Sequence, residues 1–171
     1  MPTIGVAVPI PEPYASFLQE RREAYGDPLA HAIPAHVTLL PPTQVSAAEY
    51  GALEAHLMYV ATAHRPFTIA LESTATFRPI SPVVFVQLVA GGAECAALQA
   101  DIRNGPVPRE LEFDFHPHVT IAHNVSDAEL DAAFADLKEF TATFRVPAIE
   151  LYHHGEDHVW RPARAFELQG E

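Results

Sequence analysis

Apolar and polar positions alternate along this chain with two different periods, and the order of those periods occurs twice. TIGVAVPI, from Thr3 to Ile10, and VVFVQLVA, from Val83 to Ala90, are short near-continuous apolar runs of the kind that fills a buried strand. Each is followed by a helical segment, about Pro13 to Tyr25 in the first case and Ala93 to Arg103 in the second. Pro13 suits a first helical position and Gly26 a helix end. A second helix follows in each half. SAAEYGALEAHLMYV starts at Ser46 and places Leu53, Leu57 and Val60 at helical spacing; SDAELDAAFADLKEF starts at Ser126 and does the same with Leu130, Phe134 and Leu137. Both open on Ser-x-x-Glu, which predicts a capping box pairing Ser46 with Glu49 and Ser126 with Glu129. PFTIALESTATF, TATFRVPAIELYHH and HVWRPARAFEL, rich in Thr, Ile, Phe and Val, read as further strands, and Gly91, Gly92 and the PISP stretch mark turns between units.

Between the first and second helix of each half lies the same triplet: AHVTLL at 35–40 and PHVTIA at 117–122. The chain is therefore an internal repeat. A unit of roughly 80 residues buries little surface alone, so the two halves are expected to pack together. The pattern predicts one α+β domain over residues 1–171, with lobe one at about 1–80 and lobe two at about 81–171. Each lobe is a βαβαβ unit with one extra strand, and a pseudo-two-fold axis relates them across a central cleft.

Parity turns the repeated triplet into candidate chemistry. Side chains alternate faces along a strand, so His36 and Thr38 share one face while Val37 and Leu39 point into the core; His118 and Thr120 are set against Val119 and Ile121 in the same way. Two imidazoles facing each other across a cleft fit in-line displacement at phosphorus, which needs a base on the attacking oxygen and an acid on the leaving one. Threonine hydroxyls beside them would donate to the non-bridging oxygens, where negative charge gathers. His36 is then the acid on the departing 2′ or 3′ oxygen and His118 the base on water, or the converse.

AHVTLLPPT and FHPHVTIAH resemble the paired His-x-Thr/Ser signatures of the two-histidine (2H) phosphoesterase superfamily, the LigT-like group often called 2′-5′ RNA ligase or cyclic phosphodiesterase, with the two histidines 118 − 36 = 82 positions apart. The resemblance implies a bilobal LigT-like fold with antiparallel sheets. It also implies hydrolysis of 2′,3′-cyclic nucleotide or RNA-end phosphodiesters, or of 2′-5′ linkages, without metal or cofactor, by His36, Thr38, His118 and Thr120. The alternatives are a 2′-5′ RNA ligase acting on tRNA halves and a nucleotide-binding module of the same fold without turnover. In one respect the sequence departs from the pattern: many relatives place an arginine shortly after the second motif, where this chain has His123. Arg78 and Arg161 are the candidate replacements for that phosphate contact. His116 shares parity with His118, and Phe77, Tyr152 and Trp160 are candidates for stacking on a base.

Composition narrows the partners. Twenty-two acidic residues outweigh ten basic ones, nine arginines and Lys138, for a formal charge of −12, which disfavours an extended nucleic acid and leaves a small nucleotide or an RNA end as the expected ligand. Ten histidines invite a metal, with His116, His118, His123, His153, His154 and His158 as possible ligands, yet their spacings match no zinc signature. Cys95, the only cysteine, falls on one helical face with Leu98 and Ile102 and reads as a core residue. The opening segment has no basic start and its apolar run is broken by proline, so it does not read as a signal peptide, and no run reaches the roughly 18 apolar residues of a membrane span. A soluble, cytoplasmic monomer is the expectation.

Overall fold

The computed structural model describes all 171 residues. In chain order the elements are β1 (Thr3–Pro9), α1 (Tyr14–Ala24), β2 (His36–Gln44), α2 (Ala47–Ala63), β3 (Phe67–Thr76), β4 (Val83–Ala90), α3 (Gly92–Arg103), β5 (His118–His123), α4 (Asp127–Asp136), β6 (Thr141–Val146), β7 (Ala148–His154) and β8 (Trp160–Glu167). Eight strands form two four-stranded sheets, ordered β2-β1-β7-β8 and β5-β4-β3-β6. Every pairing is antiparallel.

Corresponding strands occupy corresponding places. The His-x-Thr strands β2 and β5 are the edges of their sheets, each paired with the apolar strand that opens its half. In one sheet His36 lies opposite Pro9 and Thr38 opposite Ala7; in the other His118 lies opposite Gln87 and Thr120 opposite Phe85. The two edges run close to each other at the seam between the sheets. Helices bind the lobes crosswise: α1 packs on β5, and α3 packs on β2 as well as on β4. One buried cluster of 37 residues takes side chains from both sheets and all four helices.

The strands do not divide at residue 80. β3, from the first half, lies between β4 and β6, while β7 and β8, from the end of the chain, complete the sheet begun by β1 and β2. The lobes are thus interleaved rather than consecutive, because the shortest way to pair β3 is with the strand that follows it. The segment TATFRVPAIELYHH is two strands rather than one. Pro147, which has no amide hydrogen for a ladder, separates β6 from β7, and the two join different sheets.

Local punctuation follows the expected chemistry with two exceptions, the first being that Pro13 is the N-cap of α1, which starts at Tyr14, rather than its first helical residue. Ser46 caps α2 with a complete box: its hydroxyl accepts the Glu49 amide at 3.2 Å and the Glu49 carboxylate accepts the Ser46 amide at 2.7 Å. At α4, Ser126 accepts the Glu129 amide at 3.2 Å, but the Glu129 carboxylate does not return the bond, so only half of that box forms. Helix α1 ends in a Schellman motif around Gly26, at φ +79°: the Gly26 amide donates to the Glu23 carbonyl at 2.9 Å and the Asp27 amide to the Arg22 carbonyl at 3.2 Å. No helix is long and apolar enough to cross a membrane.

Candidate active site

The duplicated triplet sits where the two sheets adjoin. Along β2 and along β5, half-buried and fully buried residues alternate, so His36 and Thr38, like His118 and Thr120, keep partial access while Val37, Leu39, Val119 and Ile121 are sealed in the core. A preceding carbonyl orients each imidazole in the same manner. His36 Nδ1 lies 2.8 Å from the carbonyl of Pro34, and His118 Nδ1 lies 2.7 Å from the carbonyl of His116. A carbonyl can only accept, so Nδ1 carries the hydrogen in both rings, and each neutral imidazole turns a bare Nε2 lone pair away from the backbone.

Both rings are held neutral. Burial pulls His36 down to about 4; its bond to the Pro34 carbonyl works in the opposite direction, and the charges of Arg22 and His118 reinforce the fall. Burial lowers His118 as well, by less, with the Pro-flanked His116 both supplying the opposing carbonyl bond and adding a like-charge contribution. Aromatic rings explain the dry surroundings of His118: Phe77 stands edge-on at 4.9 Å between centroids and Phe85 lies tilted at 5.1 Å. His116 contacts the same two rings, each at 5.5 Å.

A cleft of about 530 Å³ opens beside these strands, and Thr38 and His118 form part of its wall. His36 and Thr120 lie on the same two strands outside that wall. Phe77, Ile80, Leu111, Phe113 and Phe115 make much of the lining apolar, and His116 is part of it. Residues Arg109 to Phe115, a loop between α3 and β5, make a further part of the wall. Its signal is the alternation in RELEFDF, in which Leu111, Phe113 and Phe115 line the cleft together with Glu110, Glu112 and Asp114. Arg109 anchors this loop to β2 by donating to the carbonyl of Pro42 and the hydroxyl of Thr43.

Of the remaining candidates, Phe77 and His116 are brought to the cleft and the others are not. Arg78 is bound to Asp131 at 2.8 Å and to the Thr76 hydroxyl, and Arg161 to Asp157 at 2.6 and 3.0 Å; neither lines the cleft. Asp131 lies 53 positions from Arg78, so that pairing leaves no local pattern in the sequence. Trp160 packs on His154 at 4.7 Å, and its amide donates to the Ala32 carbonyl at 2.7 Å, steadying the loop that leads into His36. Tyr152 is a buried core residue at 3% exposure, away from the cleft. His123 closes β5, where its amide donates to Asp27 Oδ2 at 2.9 Å. The six histidines considered for a metal are dispersed: His153 bonds the Tyr50 hydroxyl, His154 neighbours His158 and Trp160, and no group of three or more His, Cys, Asp or Glu side chains is arranged to hold an ion. Cys95 is fully buried, and burial raises its thiol to about 12, as expected of a core residue.

Comparison with known proteins gives this geometry a context. The family model described as the 2′-5′ RNA ligase superfamily matches residues 10–158. A Bacillus cytotoxicus protein named "Putative phosphoesterase" is 27% identical over 144 residues, covering 83% of each chain. Among solved structures, TT0787 of Thermus thermophilus superposes with a TM-score of 0.71 at 21% identity over the whole of both chains. Escherichia coli LigT complexed with 3′-AMP superposes with a TM-score of 0.69 at 18% identity, covering 98% of this chain and 99% of LigT, and the same enzyme has been solved with NADP+ and with ATP. These likenesses show the LigT-like α+β fold.

Proposed function

The chain belongs to the 2′-5′ RNA ligase superfamily, and from that membership and the geometry of its cleft we propose that it is a phosphoesterase opening 2′,3′-cyclic nucleotide or RNA-end phosphodiesters, or cleaving 2′-5′ linkages, by two-histidine acid–base catalysis. One observation carries the reading. Two edge strands from opposite sheets adjoin, and each presents an imidazole whose Nδ1–H is committed to a backbone carbonyl, leaving Nε2 for proton transfer.

The reaction then runs as follows. A water oxygen attacks phosphorus as one Nε2 takes its proton; the P–O2′ or P–O3′ bond breaks opposite, and the second imidazole delivers its Nε2 proton to the departing oxygen, leaving a phosphomonoester. His36, the more strongly depressed of the two, suits the base, since it stays unprotonated far into acid. His118 suits the acid, because seating a phosphate anion beside it favours its charged form. Thr38 and Thr120 donate to the non-bridging oxygens. The apolar lining from Phe77 to Phe115 offers a face to a nucleobase, in keeping with the nucleotide bound by LigT. Glu110, Glu112 and Asp114 on the same wall, with the overall charge of −12, favour a small substrate over a long RNA and weigh against ligation of tRNA halves.

The test is turnover of 2′,3′-cyclic mononucleotides, 2′-5′ dinucleotides and cyclic-phosphate-ended oligonucleotides by the parent, His36→Ala and His118→Ala. Loss of one member of the acid–base pair is expected to lower kcat/KM by about 10²–10⁴ on the substrate that the parent hydrolyses. Variants as fast as the parent would defeat the proposal.

A further inference from the structure

Of the nine arginines, Arg22 is the one that is buried, at 7% exposure. It emerges from α1 on the same face as Leu18, one turn earlier, and α1 packs on the His-x-Thr strand β5. The Schellman turn at Gly26 brings Asp27 back so that Arg22 Nε donates to Asp27 Oδ2 at 2.7 Å. Asp27 is saturated by its surroundings: Oδ2 also accepts the His123 amide at the end of β5, and Oδ1 accepts the Leu29 amide at 2.8 Å. The carboxylate therefore locks the guanidinium to β5 on one side and to the loop leading into His36 on the other.

Only Nε of that guanidinium is used. Nη1 and Nη2 have no protein partner, and neither is completely sealed from solvent, because no wholly buried side-chain nitrogen in the protein lacks a hydrogen bond. A side chain 92% buried with an unpartnered double donor is a costly arrangement unless something anionic completes it. Arg22, like His36, lies outside the wall of the 530 Å³ cleft, and its charge is felt at His36, whose protonation it opposes. The other candidates are engaged or remote. Arg161 spends both terminal nitrogens on Asp157, and Arg78, Arg103 and Arg109 each tie one to Asp131, to the Arg109 carbonyl, and to Pro42 with Thr43 respectively. Arg145 is exposed on β6, on the far edge of its sheet from β5.

We propose that Arg22, held by Asp27, is the cationic phosphate-binding residue of this site, its Nη1 and Nη2 forming the fork that receives two non-bridging oxygens of the scissile phosphate beside His36. The planar fork matches a phosphate edge, and Asp27 pre-orients it, so little rotamer entropy is lost on binding. The assignment rests on the phosphoesterase reading for the identity of the ligand, but binding of the anion can be measured without turnover.

The experiment is a titration of the intact protein and of Arg22→Gln and Arg22→Lys with inorganic phosphate, alongside kcat and KM on the substrate that the parent turns over. Arg22→Gln is expected to weaken phosphate binding by about 10–100-fold, the span of a charge-assisted hydrogen bond, and Arg22→Lys to recover part of it. The acid limb of kcat/KM should move to higher pH in Arg22→Gln and stay in place in Arg22→Lys, which a purely structural role for the Arg22–Asp27 pair would not produce. In the unsubstituted protein, phosphate should shift the Arg22 Nη resonances in side-chain arginine NMR, so the assignment stays open to refutation even if Arg22→Gln does not fold. Unmoved Nη resonances, phosphate binding within twofold of the parent in folded Arg22→Gln, or a parent with no affinity for phosphate at millimolar concentration would each overturn it. A parent that binds phosphate through Arg22 yet hydrolyses no cyclic or 2′-5′ ester would remove only the reaction, whereas an active parent indifferent to Arg22 would remove only this residue's role.

Discussion

His36 and His118 are kept neutral by the protein around them, and that has a thermodynamic consequence in acid. Burial and the nearby Arg22 charge hold folded His36 at about 4, against about 6.5 for an unperturbed imidazole. In the window between those values the unfolded chain binds more protons than the folded one. The contribution of His36 to stability is therefore complete above pH ~6.5 and is lost as pH falls toward 4, to the extent of roughly 3 kcal/mol. His118, lowered too, adds loss in the same direction. Replacing His36 with Gln removes the titration, so between pH 7.5 and pH 4.5 the variant should lose about 2 kcal/mol less unfolding free energy than the parent in urea titrations. Equal acid sensitivity of the two proteins would show that His36 titrates as a free imidazole.

At the scale of elements, the repeat is symmetric in pattern and asymmetric in execution. Ser46 makes both bonds of its capping box and Ser126 makes one. Helix α2, which buries Leu53, Leu57 and Val60, should consequently be the more sensitive to its cap. Ser46→Ala is expected to cost about 1 kcal/mol and Ser126→Ala measurably less, read from denaturant midpoints at constant m. A larger effect at Ser126 would mean that the one-sided cap does more than its bonds indicate. The strands are asymmetric as well. Phe85 sits opposite Thr120 where Ala7 sits opposite Thr38, and His118 rather than His36 is the ring boxed by aromatics.

For the molecule as a whole, the interleaving of strands makes the two halves of the chain interdependent. A fragment ending near residue 80 would carry β3 without β4 and β6, the strands it pairs with, and β1 without β7. Residues 1–80 and 81–171, produced separately, should each lack the dispersed amide spectrum of a folded domain, and mixing or co-expression should restore it. A folded, monomeric 1–80 fragment would show that the halves are independent units. The crosswise packing of α1 on β5 and α3 on β2 points the same way, since each His-x-Thr strand is backed by a helix from the other half. That exchange is also what carries Arg22 across the seam.

Much of the site was legible from residue order. Strand parity alone separates His36 and Thr38 from Val37 and Leu39, and helical period alone identifies the buried faces around Leu53 and Leu130, because both depend on backbone geometry within a few residues. The duplication of His-Val-Thr in matched surroundings marks the residues of the proposed acid–base pair within the sequence itself. Three features lay beyond that reach. Partners for Arg78 and Arg161 come from carboxylates that are neighbours in space, the RELEFDF loop becomes a cleft wall only when folded against β2, and Arg22 is one charge in the run QERREA until α1 is laid on β5. Local pattern reports which face a side chain takes; which charges end up buried, paired or left open toward a ligand depends on contacts between segments that are distant in the chain, and those are settled by the packing of the whole core.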